Sequence, residues 1–174
     1  AHTVRQLLTL ARNEPGAHER ASVPVALGEL LRQGVASHAI LADSRQIDLG
    51  ATDLDPAAAV SGDAEALASL VDNLLANAIA HAPSGGRVDV ACGVGDGRPW
   101  LTVSDNGPGI PPDERERVFD RFYRRSGAAT GGTGLGLAIV ATIARRHGAE
   151  VALTDTAGGG LTVRVIFPKV APSS

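Results

Sequence analysis

Aromatic residues and cysteine are scarce in this sequence. Only 3% of the 174 residues are aromatic, although 44% are hydrophobic. The core must therefore consist mainly of Ala, Val, Leu and Ile, which favours close packing between neighbouring elements. Cys92 is the sole cysteine, so an internal disulfide is excluded, and we expect its thiol to lie in the core. A chain of this length suffices for one domain with a substantial core.

The sequence also lacks an excess of one charge and a long apolar run. It carries 19 acidic and 16 basic residues, a net charge of -3, and these are spread along the chain. We therefore expect neither nucleic acid nor an anionic membrane as a partner. No segment approaches the ~18 consecutive apolar residues of a membrane-spanning helix, so no direct membrane contact is expected. The start at Ala1 suggests that the segment comes from a longer protein.

Lysine is nearly absent. Lys169 is the sole lysine, beyond the last predicted strand, and the other 15 basic residues are arginine. The Walker A loop and the protein kinase fold each place a lysine against a phosphate group. Both of these designs are therefore excluded.

Hydrophobic periodicity predicts an alternation of helices and strands. Helical spacing occurs in residues 3–12, 24–41, 63–83, 112–122 and 135–147. Strand patterns occur in residues 46–51, 57–63, 86–94, 98–105, 150–156 and 161–168. Because the late strands form hairpin pairs with helices between them, we predict an α+β fold, a two-layer α/β sandwich with a mixed sheet.

The helix predicted over residues 63–83 carries polar side chains on one stripe. Asn73, Asn77 and His81 follow one another at spacings of four residues and so lie on one face. Asparagine is a mediocre helix former, so two of them within a helix require an explanation. One is a solvated face. The other is that an amide oxygen is a ligand for Mg²⁺, whose remaining ligands are water and phosphate oxygens.

The segment VSDNGPGIP, residues 103–111, follows a predicted strand. Asp105 at the end of that strand could accept a hydrogen bond from an adenine amine, while Gly107 and Gly109 let a ring approach the backbone. The alternative is an ordinary Asn-Gly turn.

The segment RVFDRFYRR, residues 117–125, has two faces. Val118, Phe119 and Phe122 have the helical spacing of a packing face. On the other side, Arg121, Arg124 and Arg125 could pair with a polyphosphate, or they could form a solvated arginine run.

The segment TGGTGLGLAIV, residues 130–140, has glycines that lead directly into a helix, as in a loop that holds a phosphate group. A dinucleotide-binding unit would also have an acidic residue about 20 positions later, where Asp155 stands. That motif requires a hydrophobic strand before the glycines. Residues 120–130 are polar and small, so this alternative is rejected.

Four segments resemble, in order, the N, G1, F and G2 boxes of the catalytic ATP-binding domain of bacterial sensor histidine kinases: DNLLANAIAH, DNGPGI, VFDRFYR and GGTGLGLAIV. The resemblance extends from about Pro24 to Pro168 and, within the family, is greatest to kinases of the PrrB type. It implies the Bergerat (GHKL) fold of kinases, gyrase and Hsp90, a mostly antiparallel sheet of about five strands with helices on one face.

The resemblance also implies a division of the chain. Residues 1–23 would be the remnant of an upstream dimerisation helix and a linker, 24–168 the catalytic ATP-binding domain, and 169–174 a C-terminal tail.

The resemblance assigns roles to individual residues. Asn77 matches the asparagine that binds Mg²⁺, and Asn73 its companion one turn earlier. Asp105 matches the aspartate that binds adenine, with Gly107 and Gly109 shaping that pocket.

The G2 box would hinge a lid, residues 119–133, which we expect to be mobile until ATP is bound. Its glycines, which would also set backbone N–H groups near the phosphates, are Gly132, Gly134 and Gly136. The other residues expected to bind ATP are His81, Ile110, Phe119, Phe122, Tyr123, Arg124, Thr133 and Leu135.

The sequence departs from the family pattern in its basic residues. Many members have a lysine three residues after the magnesium asparagine, where Ala80 stands here. The phosphate charge must then be met by another group. We expect Arg124 to do so, as a catalytic residue beside Asn77, together with Arg121 or Arg125.

Two further departures bear on the reaction. The related ATPases have a glutamate general base where Asn73 stands, so the resemblance implies phosphoryl transfer rather than hydrolysis. The family's phosphoacceptor histidine lies in an upstream box that His18 does not fit, so we expect the acceptor to be absent from this chain. Asp72 or His81 could assist in proton handling.

The implied function is that of a two-component kinase, with ATP and Mg²⁺ as cofactors. The γ-phosphoryl would pass to a histidine on a dimerisation domain of the same homodimeric protein, and then to an aspartate of a cognate response regulator. The domain would be the cytoplasmic part of a cell-membrane sensor. Two alternatives stay open: a non-catalytic nucleotide-sensing module, and an anti-sigma serine kinase of the same fold.

Overall fold

The computed structural model describes residues 2–16, 20–125 and 133–170. The helices in these residues are α1 (His2–Asn13), α2 (Leu27–Ser44), α3 (Ala64–His81) and α4 (Gly136–Arg146). The strands are β1 (Val23–Ala26), β2 (Asp48–Leu54), β3 (Ala59–Gly62), β4 (Arg87–Gly95), β5 (Arg98–Asp105), β6 (Glu150–Asp155) and β7 (Leu161–Ile166). Two 3₁₀ turns, Pro112–Glu114 and Arg117–Phe119, lie between β5 and α4.

The main sheet of the described part has five strands in the order β2-β4-β5-β7-β6. β2 is parallel to β4, and the other neighbours are antiparallel. A tight turn at Asp96 and Gly97 joins β4 to β5, with φ angles of 52° and 74° as a type I′ turn requires. The predicted mixed, mostly antiparallel sheet is confirmed.

The helices cover one face of this sheet. Along β5, Leu101, Val103 and Asp105 are buried toward the helices, while the residues between them are half-buried on the other face. On that other face the Arg164 guanidinium stacks on Trp100, 4.5 Å from the ring centroid. The two-layer α/β sandwich predicted from the sequence is therefore confirmed, and strand alternation directs Asp105 toward α3.

Helix α3 is the central helix of the apolar core. Asp63 is its N-cap, and the carboxylate accepts hydrogen bonds from the backbone N–H groups of Glu65 and Ala66, both at 3.1 Å. The helix ends two residues before Pro83, which cannot continue it. Its apolar side chains from Leu67 to Ile79 are almost all buried, so α3 is held firmly against the sheet and against α2.

Two predicted elements are wrong. Residues 24–26 form β1, which pairs with β3, instead of the first turn of a helix. Residues 112–122 form 3₁₀ turns instead of a helix, since the Arg115 guanidinium donates hydrogen bonds to Ile110 O at 2.9 Å and Leu153 O at 3.3 Å and ties the segment to β6. Both differences involve a partner distant in sequence, β3 for the first and Leu153 of β6 for the second, which local periodicity does not detect.

Among the described residues, no helix has both the length and the apolar composition needed to cross a membrane.

Candidate functional site

A cavity of about 350 Å³ lies between α3, the loop after β5, the segment of residues 118–125 and the start of α4. Most of the residues predicted to bind ATP line it. They are Asn73, Asn77, His81, Asp105, Gly109, Ile110, Tyr123, Arg124, Thr133, Gly134 and Gly136. Residues from all four predicted boxes therefore meet at one cavity.

Four other predicted residues do not line the cavity. Gly107 and Phe122 support the residues that do, as described below, and Phe119 is partly buried against the core. Leu135 is fully buried at the start of α4. Gly132 lies outside the described residues.

Asp105 is buried at the end of β5 with one carboxylate oxygen already bound. Its Oδ1 accepts hydrogen bonds from the backbone N–H groups of Gly107 at 2.9 Å and Leu161 at 3.3 Å. Burial raises the pKa of this carboxyl, and these two hydrogen bonds and the nearby His81 only partly offset that effect. Oδ2 accepts no hydrogen bond from the described residues, so it is the acceptor that Asp105 offers to a ligand.

Glycines allow the backbone to fold tightly around Asp105. A Cβ at Gly107 would lie 2.5 Å from the His81 carbonyl oxygen. Gly160 is more restricted: its φ is 113°, and a Cβ there would lie only 1.9 Å from the Asp105 carbonyl oxygen. The loop pattern predicts a role for Gly107, whereas the triple glycine before β7, which contains Gly160, predicts only a turn between strands. No local signal distinguishes Gly160 from its neighbours.

The asparagines of α3 differ in what their side chains contact. The Asn73 amide donates to the Ser69 carbonyl oxygen at 2.7 Å, and its Oδ1 faces the start of α4, 3.7 Å from where a Gly136 Cβ would lie. The Asn77 side chain makes no hydrogen bond within the described residues. It therefore presents an uncommitted amide oxygen to the cavity.

The donor set suits Mg²⁺ only when a nucleotide completes it. No group of three or more His, Cys, Asp or Glu residues in the described ranges could hold a metal ion. Mg²⁺ commonly binds through one or two protein oxygens together with phosphate oxygens and water. Asn77, facing the cavity, fits that pattern.

The arginines expected to meet phosphate have different partners. Arg121 forms an ion pair with Glu14 of the segment after α1. The Arg125 guanidinium binds Glu114 Oε2 and the Gly109 carbonyl oxygen, each at 2.7 Å. Arg124 lines the cavity. Arg45, which the sequence did not single out, lines it too.

A family model described as "Histidine kinase-, DNA gyrase B-, and HSP90-like ATPase" matches residues 62–171. The chain belongs to this family. Among its relatives, the sensor-like histidine kinase SenX3 of Mycolicibacterium smegmatis is 35% identical over 172 residues, which cover 97% of this chain and 44% of the relative. The chain thus spans less than half the length of that histidine kinase.

Solved structures of histidine kinases have the same fold. The mycobacterial sensor histidine kinase MprB is 33% identical, with a TM-score of 0.72 over 84% of this chain and 97% of that chain. Full-length ShkA in complex with AMPPNP is 29% identical, with a TM-score of 0.83 over 99% of this chain and 36% of that chain. The predicted membership of the sensor histidine kinases is confirmed, whereas the finer likeness to the PrrB type stays a prediction.

The two ends of the lid expected for a histidine kinase meet at Gly134. The Phe122 backbone N–H donates to the Gly134 carbonyl oxygen at 3.0 Å, and Phe122 has a φ of 63°. A Cβ at Gly134, whose φ is 73°, would lie 2.6 Å from the Phe122 carbonyl carbon. Only glycine fits here. Residues 126–132 of the expected lid lie outside the described residues.

Helix α1 closes one side of the cavity, which the sequence did not predict. Gln6 lines the cavity, and its Oε1 accepts a hydrogen bond from the Thr133 hydroxyl at 2.7 Å. At the other end of α1, Asn13 Oδ1 accepts from Arg146 at 2.6 Å, and Arg146 also pairs with Asp63 at 3.1 Å. The available sequence signal was the position of Gln6 and Asn13 on the same helix face as Leu10, where apolar residues are expected.

Asp72, considered for proton handling, does not line the cavity. Its carboxylate interacts instead with His38 of α2, and burial is the main cause that raises its pKa. His81 lines the cavity, with Nδ1 2.8 Å from the Asn77 carbonyl oxygen.

Proposed function

We propose that this chain binds Mg·ATP in the cavity and is the catalytic domain that activates the γ-phosphoryl group for transfer to a histidine. The observation that carries the proposal is that Asn77, Asp105 and Gly134 line one cavity. A purine acceptor, a metal ligand and a glycine hinge are thereby within reach of a single nucleotide.

The purine end of the site would be at Asp105. Its Oδ2 would accept a hydrogen bond from the exocyclic amine of adenine, while Oδ1 stays bound to the backbone N–H groups of Gly107 and Leu161. The apolar side chains of Ile110, Val118 and Leu161 lie around the same cavity and would pack on the ring. This part of the site selects for a base with an amine donor.

The phosphate end would lie between Asn77 and the start of α4. Asn77 Oδ1 would be a ligand of Mg²⁺, which when bound neutralises charge on the phosphate oxygens. Backbone N–H groups at the first turn of α4 have no partner within the helix and would donate to the phosphates. Arg124 would contribute positive charge.

The described cavity favours transfer of the phosphoryl group over its hydrolysis. Asp105 is the one carboxylate that lines it in the described residues, and two backbone N–H groups hold that carboxylate at the purine end. A water molecule near the phosphates would therefore find no carboxylate base. Catalysis would come mainly from positioning and charge neutralisation.

In the complete protein, we propose that the phosphoryl group passes to a histidine on a dimerisation domain of the same homodimer, and then to a response regulator. The family membership and the name of SenX3 as a sensor-like histidine kinase support this. Residues 1–23 would connect to that domain, 24–168 form the catalytic domain, and 169–174 a tail. The domain would act in the cytoplasm as part of a membrane sensor.

Incubation with γ-labelled ATP tests the proposal. The chain alone should acquire no label, while a separately added dimerisation domain that carries the acceptor histidine should become labelled with acid-labile phosphate. An Asp105→Asn chain should label it more slowly at limiting ATP. Stable binding of ATP with no label on any acceptor domain would favour a nucleotide-sensing module and contradict the kinase proposal.

A further inference from the structure

Arg45 occupies a corner that the backbone holds firmly. It is the C-cap of α2, and the chain turns after it through Gln46, which has a φ of 57°. The turn is closed by hydrogen bonds from Gln46 N to Asp43 O at 3.0 Å and from Ile47 N to Ala42 O at 2.8 Å, the pattern of a Schellman motif. A left-handed glutamine in place of the usual glycine is unfavourable by itself.

Two hydrogen bonds fix this corner against the loop that follows α3. Gln46 Oε1 accepts a hydrogen bond from the Ser84 hydroxyl at 3.1 Å, and Asp48 N donates to the Gly86 carbonyl oxygen at 2.9 Å. Both partners belong to the loop that follows α3. The position of Arg45 relative to the last turns of α3 is therefore determined by contacts that follow it directly in the chain.

The α3 residues that line the cavity together with Arg45 include two with small side chains. Ala76 and Ala80 of α3 line the cavity together with Arg45. Ala76 directly precedes Asn77 and Ala80 follows it by about one helical turn, so both lie near the proposed metal ligand. Because both side chains are small, neither would block the long Arg45 side chain from a ligand bound near Asn77.

The Arg45 guanidinium is uncommitted. Its side chain makes no hydrogen bond and no ion pair with any described residue, although it lines a cavity where Arg125 is bound to Glu114 and Gly109. A cation at a helix C-terminus is favourable for the helix dipole alone. That effect does not require the Arg45 side chain to border the cavity. Binding of an anionic ligand in the cavity does require it.

We propose that Arg45 binds the polyphosphate of the nucleotide from the α2 side, at the position that Ala80 leaves open. The inference rests on the proposed function, because it needs a nucleotide whose phosphates lie near Asn77. Arg45 then acts as a positioning and affinity residue: it contributes a charge-assisted hydrogen bond to a phosphate oxygen.

Nucleotides of different phosphate number test this directly. Affinities for ATP and AMP, with Mg²⁺ present, are measured by calorimetry for the wild type, Arg45→Gln and the control Arg32→Gln. Arg32 is on the same helix, exposed and paired with Glu29 at 3.6 Å, so the control makes the same charge change away from the cavity. Arg45→Gln should bind ATP about 10-fold more weakly, with AMP and the control changed less than about 2-fold.

A second substitution separates charge from structure. Ala80→Lys places a cation across the gap, and it should restore most of the ATP affinity of Arg45→Gln while adding little to the wild type. An equal gain in both backgrounds, or no loss in Arg45→Gln, would overturn the proposal. If Ala80→Lys does not fold, the salt dependence decides: Arg45→Gln should lower the slope of log Kd for ATP against log salt, and an unchanged slope would overturn the proposal.

Binding measurements on the wild type and the two variants distinguish a wrong role for Arg45 from a wrong proposed function. If the wild type binds no ATP, the proposed function fails. If the wild type binds ATP, Asp105→Asn weakens that binding and Arg45→Gln does not, only the role of Arg45 is overturned.

Discussion

Asp105 combines a stability defect with a functional advantage. The folded protein buries its carboxyl and raises the pKa above the ordinary value, so the folded state holds the proton more tightly than the unfolded state. Ionisation at neutral pH therefore opposes folding of the empty protein. The same burial makes Oδ2 a strong acceptor for a ligand amine in a site of low polarity.

Asp105→Asn should consequently raise stability and lower affinity. Asn keeps an acceptor for Gly107 and Leu161, so the Tm of the nucleotide-free chain should increase at neutral pH, where the carboxyl is ionised. The gain should shrink as the pH falls toward about 3.9, the ordinary pKa of Asp, because both states then bind the proton. ATP should bind about 10-fold more weakly or worse, since an amide donor would face the adenine amine.

Thermal melts from pH 8 to pH 4 and calorimetric titrations with ATP check both effects. A Tm gain that does not depend on pH would argue against the raised pKa as its cause. Unchanged ATP affinity would contradict the purine role of Asp105.

Gly160→Ala should disturb the backbone at Asp105, although the two residues are far apart in the sequence. The added Cβ would lie 1.9 Å from the Asp105 carbonyl oxygen, so the backbone must shift and we expect a loss of about 3 kcal/mol with weaker ATP binding. Gly158→Ala is the matched control, because Gly158 has a positive φ of 87° but nothing within 4 Å of its Cβ position. It should lose about 1 kcal/mol and keep its ATP affinity. Equal effects of the two variants on affinity would contradict the account.

At this scale the sequence predicted the residues that belong to compact motifs. Asn77, Asp105 and Gly134 were recognisable because each stands in a local pattern of composition and spacing. Gly160 was not, since it meets Asp105 only through the approach of two segments distant in the chain. Arg45 was not, since only the packing of the end of α2 beside α3 brings it to the cavity. Such contacts depend on strand register and helix packing, which appear only in three dimensions.

Close approach of α2 and α3 supports the helix that carries Asn77. A Cβ at Gly34 would lie 2.7 Å from Val71 Cγ1 and 2.9 Å from Leu75 Cδ1. Gly34→Ala should therefore reduce the free energy of unfolding by about 1 to 2 kcal/mol, despite the better helix propensity of alanine. Urea denaturation measures this change.

Gly28→Ala on the same helix is the control for Gly34→Ala. Its Cβ would be 3.5 Å from Leu54 Cβ, an ordinary contact, so the substitution should be neutral or stabilising by up to about 1 kcal/mol. Stabilisation of similar size by both substitutions would contradict the tight packing of α2 on α3.

Long periodic elements were predictable, and short ones were not. The helix pattern of residues 63–83 contains a cap, an apolar face and a terminating proline, so several signals agree on α3. The strand β1 has only four residues and exists through its pairing with β3, for example Val25 with Val60. Residues 112–122 have a helical pattern, but the side-chain contacts of Arg115 with Ile110 and Leu153 favour turns there.

Helix α1 joins the rest of the molecule beside the nucleotide cavity. It contacts α4 and, through Gln6 and Thr133, the base of the expected lid. Leu10 is 1% exposed in this arrangement, whereas Leu8 on the same helix is 52% exposed. The docked position of α1 therefore buries Leu10 and leaves Leu8 largely exposed to solvent.

Leu10→Ala should reduce the free energy of unfolding by about 2 to 4 kcal/mol, while the control Leu8→Ala should change it by less than about 1 kcal/mol. The difference is expected because removal of the buried Leu10 side chain leaves a void between α1 and the core, whereas the Leu8 side chain is largely exposed. Chemical denaturation of both variants provides the comparison. Equal small effects would show that α1 does not dock against the domain in solution, and would remove Gln6 from the cavity.

The central claim is that one nucleotide engages both Asp105 and Asn77, and a crystal structure of the chain with AMPPNP and Mg²⁺ tests it most directly. The account predicts the adenine amine within hydrogen-bonding distance of Asp105 Oδ2, and a Mg²⁺ ion bound by Asn77 Oδ1 and phosphate oxygens. A nucleotide bound elsewhere, or bound in the cavity with either side chain uninvolved, would contradict it.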